Sequence, residues 1–115
     1  AQEFCAYIAS TVHVAFAHKQ RGARWADDAA AHEAMQAKVA DNMAECADVI
    51  ETHLLVGPWA LGDSYSFVDP YLFLIERWLG MAGVDVAGWP KMAAHAKAMR
   101  ARPATQAVLA VNGLA

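Results

Sequence analysis

The side chains best suited to chemistry in this sequence are five histidines and two cysteines. The histidines are His13, His18, His32, His53 and His95. No two of them stand four residues apart, and none is joined to a carboxylate in the spacing of a helical zinc site. The cysteines, Cys5 and Cys46, are too few for a disulfide framework and lack metal-ligand spacing. The sequence therefore predicts no metal site, and we interpret both cysteines as buried thiols.

Motifs for phosphate binding and nucleophilic catalysis are missing from the sequence. There is no glycine-rich phosphate loop, nucleophile elbow or Ser/His/Asp pattern, and Gly62-Asp63-Ser64 is typical of a turn. A basic group at residues 18–24, HKQRGAR, has the charge to contact an anion. Because this group is short and lies at a helix end in an acidic protein, we interpret it as a solvated face.

Two further side chains, His13 and Trp78, combine a polar group with an apolar ring. A tryptophan in a dry core needs an acceptor for its N–H, so the simplest interpretation of Trp78 is core packing with that N–H bonded to a carbonyl. His13 lies between Val12 and Val14, and a lone histidine on such a helix is more often structural than reactive. Residue types alone thus indicate a helical domain without a defined activity.

The most apolar helix of the chain follows a helix cap. Ser66 and Asp69 form the capping-box pattern, in which the hydroxyl accepts from the N–H of Asp69 and the carboxylate accepts from the N–H of Ser66. We interpret this cap as a structural device without a catalytic role. After it, apolar residues fall on nearly every face, which predicts a helix over about 66–80 that is buried all round.

Two helices are predicted before this capped helix. An apolar period favours a first helix over about 3–20, with Gly22 as its C-terminal stop. A second, longer helix runs over about 27–55, and turns are expected over 56–65.

Two more helices are predicted after the capped helix. Pro90 suits the first position of a helix whose apolar side is expected to exclude His95. Pro103 breaks that helix, and a short one follows over about 104–111. No strand pattern appears, so the predicted fold class is all-α, a bundle of five or six helices around the buried one.

The composition argues against several classes of partner. A formal net charge of −3 over 115 residues gives no long-range attraction for nucleic acid or an anionic membrane. The length suits one domain with its own core. Because there is no leader pattern and no apolar run of bilayer length, we expect a cytoplasmic protein.

Several stretches resemble the C-terminal domain of cytosolic glutathione transferases. Residues 59–73, WALGDSYSFVDPYLF, look like its turn and capped helix, while residues 102–109, RPATQAVL, and Asn112-Gly113-Leu114 are similar to its closing segment and ending. Residues 8–16, IASTVHVAF, and the Arg77-Trp78 pair resemble the bacterial, beta-class form. The resemblance covers almost the whole chain in order.

This resemblance implies that residues 1–115 are a single helical domain, the second half of a two-domain protein. The thioredoxin-like N-terminal domain, which binds glutathione and supplies the catalytic Cys, Ser or Tyr, lies outside this sequence. No catalytic residue is therefore expected in this chain, which alone should be inactive, and Cys5 does not match the family's catalytic cysteine. Glutathione is the expected co-substrate, and no tightly bound cofactor is expected.

By the same resemblance, His13, Phe16 and Trp78 line the cleft for a small apolar electrophile. His13 would be a polar contact near the reacting sulfur, and Trp78 would form part of the wall or a donor to it. One departure is Val14, which stands where beta-class proteins carry a lysine. The first two helices form much of the family's dimer interface, so a homodimer is expected. Candidate intersubunit contacts are Phe4, Ile8, Met35 and Val39.

Two other functions stay open from the sequence. Relatives of this domain serve as assembly modules in translation-factor and synthetase complexes, so a non-enzymatic helical scaffold is the main alternative. A carrier of an apolar ligand or haem, built on a helical bundle, is another.

Overall fold

Helical segments account for all the regular secondary structure in residues 1–114, the part of the chain that this computed structural model describes. Within that range there is no β-strand, and a single isolated bridge pairs Trp59 with Gly62. The predicted all-α class is confirmed, with five main helices in the described residues.

The first two helices each contain a π-helical segment. Helix α1 (residues 2–17) consists of α-helical Gln2–Tyr7, π-helical Ile8–Val12 and α-helical His13–Ala17. Helix α2 (residues 29–54) consists of α-helical Ala29–Val49 and π-helical Ile50–Leu54. Such segments are frequent at functional sites, and the one in α1 directly precedes His13.

The remaining helices are α3 (Val68–Met81), α4 (Pro90–Ala101) and α5 (Pro103–Val111). Short 3₁₀ turns occupy Gly22–Arg24 and Val86–Gly88. Arg102, between α4 and α5, is extended with φ −73° and ψ 129°, because the following proline disfavours helical geometry there. The predicted helix break at Pro103 is therefore confirmed.

Helix α3 packs against α1, α2 and α4 and supplies the centre of the core. Its fully buried side chains meet those of α1 and α2, including Leu72, Ile75, Leu79, Ile8 and Met43. The expectation that α3 is buried all round is wrong, since Leu74 is 39% exposed and Met81 is 54% exposed. One side of α3 lies at the edge of the bundle, where α5 borders it.

Gly22 does not end the first helix as expected. Helix α1 ends at Ala17, and Gly22 begins a 3₁₀ turn without a positive φ. A Cβ on Gly22 would lie 3.1 Å from Cδ2 of His32, so glycine is explained here by the close approach of that ring. The glycine that follows α3 in the left-handed region is Gly83, with φ 83°.

The cap of α3 forms, with one bond different from the prediction. The Asp69 carboxylate accepts from the Ser66 N–H at 2.7 Å, as expected. The Ser66 hydroxyl accepts from the N–H of Val68 at 3.3 Å rather than from that of Asp69, whose N–H donates to the Ser66 carbonyl. The carboxylate is therefore the stronger half of the cap.

Asp69 also belongs to a buried polar cluster that the sequence did not indicate. His95 is 1% exposed and lies between two carboxylates, with Nε2 2.8 Å from Asp69 Oδ1 and Nδ1 2.8 Å from Glu76 Oε1. The placement of His95 off the apolar side of α4 is therefore wrong. The ring is buried because its two nitrogens satisfy two carboxylates that α3 carries into the core.

Burial and hydrogen bonding shift the pKa values in this cluster. Burial lowers the pKa of His95, but the hydrogen bonds and charges of Glu76 and Asp69 outweigh it, so the net pKa is raised. Burial raises the pKa of Glu76, against the hydrogen bond from His95. The raised pKa of His95 favours the imidazolium, in which both ring nitrogens donate.

The structure also bears on the expected intersubunit residues and thiols. Phe4, Ile8 and Val39 are at most 3% exposed within this one chain, so they are core residues rather than contacts available to a second subunit. Met35 alone of the four is partly accessible. Cys46 is buried as expected, but Cys5 is half-buried, and both thiols are free.

Among the described residues, no helix combines the length and apolar character needed to cross a membrane.

Candidate functional site

The aromatic cluster between α1 and α3 is the centre of the candidate site. The Phe16 ring stacks on the Trp78 ring with centroids 4.7 Å apart and planes 10° from parallel. The His13 ring meets Trp78 edge-on at 5.0 Å and 65°. His13 and Phe16 reach the same neighbour because residues three apart share one helix face.

This cluster is accessible from outside. His13 is exposed, while Phe16 and Trp78 are half-buried. The π-helical segment before His13 ends at Val12, which is fully buried. Two consecutive residues of α1, Val12 and His13, therefore face the core and the site respectively. Stacked rings with free edges of this kind provide a flat apolar wall with one polar group beside it.

A small pocket of about 130 Å³ opens onto these rings. Its other walls come from Ala17, the last residue of α1, and from Lys19, Gln20 and Arg21 in the turn that follows. Backbone bonds fold this turn back over the helix end, with Lys19 N–H donating to the Phe16 carbonyl at 3.0 Å and Arg21 N–H donating to the Ala17 carbonyl at 2.8 Å. Two cations therefore border an aromatic wall.

The pocket carries positive charge without a matching carboxylate. Its lining includes no Asp or Glu. Within residues 1–114 the ion pairs are those of His95 with Asp69 and Glu76, so neither Lys19 nor Arg21 is paired there. The arrangement can hold a flat ring against Trp78 with an anionic group near the turn.

A second, larger hollow shares Trp78 with the pocket. It is an apolar groove of about 510 Å³ between α3 and α5. Four exposed or half-exposed apolar side chains line it, namely Leu74 at 39%, Met81 at 54%, Val108 at 60% and Leu114 at 49% exposure. Exposed apolar side chains grouped in one groove make it a candidate surface for contact with another molecule or domain.

The structure brings the three residues named as cleft candidates, His13, Phe16 and Trp78, into direct contact, and their role in binding stays a prediction. The apolar groove was not predicted from the sequence, although Leu74, Trp78 and Met81 have helical spacing. Residues 18–24 were expected to be a solvated face, whereas Lys19 and Arg21 line the pocket. The residues that the structure describes contain no group of three or more His, Cys, Asp or Glu able to hold a metal.

The chain is similar to a known family of proteins. The family profile "Glutathione S-transferase, C-terminal domain" matches residues 4–103. Glutathione S-transferase GST-4.5 of Xanthomonas campestris pv. campestris is 37% identical over 65 residues, which are 56% of this chain and 32% of that protein.

Two solved structures share the fold. A glutathione transferase homologue from Sulfitobacter, solved with bound glutathione, has a TM-score of 0.91 at 43% identity and covers 99% of this chain. BphK, a bacterial glutathione transferase solved as a ternary complex, has a TM-score of 0.69 at 26% identity and covers 98% of this chain.

The chain spans only part of these relatives, namely 61% of the Sulfitobacter homologue and 53% of BphK. The profile match nevertheless covers most of the chain, and the fold of the glutathione-bound homologue agrees with it almost throughout. The chain therefore belongs to the glutathione S-transferase C-terminal domain family.

Proposed function

We propose that this chain is the helical half of a glutathione transferase, with His13, Phe16 and Trp78 lining the site for a small apolar electrophile. The observation that carries the proposal is the accessible stack of Phe16 on Trp78 with His13 at its edge. Support comes from the Sulfitobacter homologue, which shares the fold and was solved with bound glutathione.

The proposed reaction is conjugation through the glutathione sulfur. The thiol releases its proton to water, the thiolate sulfur forms a bond to the electrophilic carbon, and the leaving group departs with its bonding electron pair. The stacked rings hold a planar electrophile by dispersion and apolar burial. His13, exposed at the edge of the stack, donates a hydrogen bond toward the sulfur and favours its charged form.

In this proposal the glutathione site and the residue that activates the thiol belong to a thioredoxin-like domain outside the chain. The chain spans 61% of the glutathione-bound homologue, which leaves room for such a domain there. The apolar groove along α3 and α5 is the surface against which that domain packs. The chain alone is then inactive.

The proposed assembly is a homodimer in the cytoplasm. A groove of about 730 Å³ between α1 and α2 presents partly accessible side chains, Met35 among them. This groove, rather than the buried Phe4, Ile8 and Val39, is the surface available to a second subunit. Two free thiols suit a reducing compartment.

The test compares the full-length gene product with residues 1–115 in glutathione conjugation to chlorodinitrobenzene, followed by absorbance. We expect activity in the full-length protein and none in the chain alone. Conjugation by the isolated chain would contradict the division of labour. A folded full-length protein that conjugates none of a broad set of electrophiles would contradict the transferase proposal itself.

A further inference from the structure

The pocket beside Trp78 contains more charge than an apolar electrophile requires. Lys19 and Arg21 line it together with the rings of His13, Phe16 and Trp78. A site built only for apolar ligands would be lined by apolar groups with a few polar ones. Here two of seven lining residues are permanent cations and none is an anion.

The fold explains these two cations only in part. Cations stabilise a helix C-terminus, and α1 ends at Ala17, so the helix end favours positive charge in this turn. That effect depends on the distance to the last turn and does not require the two side chains to line a pocket. Neither side chain pairs with a carboxylate in residues 1–114. By contrast, the guanidinium groups of Arg100 and Arg102 lie over the rings of Phe73 and Tyr65. The charge at Lys19 and Arg21 is free for a ligand.

We propose that this pocket selects planar aromatic co-substrates that carry an acidic group, with the ring against Trp78 and the carboxylate or sulfonate beside Lys19 and Arg21. The inference rests on the proposed transferase function and names its substrate class. The volume of about 130 Å³ suits a single ring. The acidic group takes no part in bond making and serves to orient the ring.

With such a substrate, conjugation exchanges a C–Cl bond for a C–S bond. For a chloronitrobenzoate, the glutathione thiol releases its proton to water, its sulfur bonds to the ring carbon that carries chlorine, the C–Cl bond breaks, and chloride leaves with the bonding pair. The carboxylate remains ionised throughout. Its pairing with the half-buried Lys19 and the exposed Arg21 favours binding by about two- to fivefold per cation.

Glutathione itself is a second source of carboxylates. A carboxylate of the peptide held by Lys19 and Arg21 would give the same charge complementarity. The two sources differ in which kinetic constant responds, since one acts on the aromatic co-substrate and the other on glutathione. The experiment below separates them.

The first measurement is binding to residues 1–115 by NMR, with the Trp78 indole N–H signal as reporter, assigned from a Trp78→Phe variant. The ligands are chloronitrobenzoate and the uncharged chloronitrobenzamide of nearly the same shape. We expect the benzoate to bind about fivefold more tightly, and added salt to remove that difference. The double variant Lys19→Gln/Arg21→Gln should also remove it. The matched controls Arg24→Gln and Lys97→Gln, outside the pocket, should retain it.

The second measurement is conjugation by the full-length protein with the same two electrophiles. In the double variant we expect the benzoate-to-benzamide ratio of kcat/KM to fall by about fivefold, with KM for glutathione unchanged. Equal affinities of the two ligands for the wild-type chain, insensitive to salt, would overturn the inference without any variant. So would a double variant that keeps the ratio but raises KM for glutathione, because the charge would then serve the peptide.

These outcomes also separate the inference from the proposed function. A full-length protein that conjugates neither electrophile would contradict the proposed transferase function. The binding preference of residues 1–115 would still decide whether the pocket prefers an acidic aromatic ligand.

Discussion

His95 Nε2 lies 2.8 Å from Asp69 Oδ1 in the interior of the domain, with both side chains at most 1% exposed. The same Asp69 carboxylate accepts from the N–H groups of Ala60 and Ser66, both at 2.7 Å. One residue therefore joins the loop before α3, the first turn of α3 and the middle of α4. The helix cap is part of the tertiary core.

This relationship changes the expected cost of removing each half of the cap. Replacing Ser66 by Ala should lower the free energy of unfolding by about 0.5–1 kcal/mol, as for an ordinary cap. Replacing Asp69 by Ala should lower it by about 3–5 kcal/mol, since it leaves Nε2 of the buried His95 and two backbone N–H groups unpaired, while Nδ1 of His95 keeps its bond to Glu76. Urea unfolding measures both. Equal losses for the two variants would contradict the central role of Asp69.

The cluster also predicts a dependence of stability on pH. The pKa of His95 is raised above its usual 6.5, so the stability it contributes is fully present below 6.5 and is lost as pH rises through the folded-state value. The pKa of Glu76 is raised above 4.5, so its contribution also declines as pH rises. We expect the free energy of unfolding to fall on going from pH 6.5 into the alkaline range.

The control for this pH dependence is His95→Gln, which retains hydrogen-bonding groups but does not titrate. The variant should be less stable at pH 6 and should lose the decline that begins near the ordinary value of 6.5. Thermal unfolding across a pH series measures both slopes. Parallel curves for wild type and variant would show that the decline arises elsewhere.

The turns before α3 predict a contrast between two glycines. A Cβ on Gly57 would lie 2.6 Å from the carbonyl oxygen of Gly62, so the backbone must move, whereas a Cβ on Gly80 meets nothing within 4 Å. Gly57→Ala should therefore destabilise the domain by about 1–3 kcal/mol. Gly80→Ala, within α3, should stabilise it by about 0.5–1 kcal/mol. Denaturant midpoints that shift in the same direction would refute this explanation.

Glu51 in α2 caps α4 from a neighbouring helix. Its carboxylate oxygens accept from the N–H groups of Lys91 at 2.7 Å and Met92 at 2.9 Å. Glu51→Ala should lower the free energy of unfolding by about 0.5–2 kcal/mol, the usual range for a lost N-terminal cap. Glu45→Ala, an exposed site on the same helix, should change it by less than about 0.5 kcal/mol. A similar decrease in the free energy of unfolding for both variants would contradict a capping role of Glu51.

Much of the fold follows from local sequence signals. Helical periods, Pro90, Pro103 and the Ser66–Asp69 pattern predict the five helices, because each acts through its immediate neighbours. The sequence did not predict the burial of His95, since a histidine is buried only when distant groups satisfy both nitrogens, and Asp69 and Glu76 lie 26 and 19 residues away.

The candidate site shows the same division. His13, Phe16 and Trp78 were named through resemblance to a family, and their stacking geometry required the structure. Lys19 and Arg21 looked like an ordinary solvated group because sequence spacing does not show which way a turn folds. The backbone bonds from Lys19 and Arg21 to the last turn of α1 decide that direction.

The role of Trp78 in the electrophile site is tested by kcat/KM for chlorodinitrobenzene in the full-length protein carrying Trp78→Ala. We expect a loss of about tenfold or more, equivalent to about 1.4 kcal/mol in transition-state binding, with KM for glutathione unchanged. Trp25→Ala, which removes an exposed ring outside the pocket, should retain full activity. An unchanged kcat/KM in a folded Trp78→Ala variant would contradict the assignment of this wall to the electrophile site.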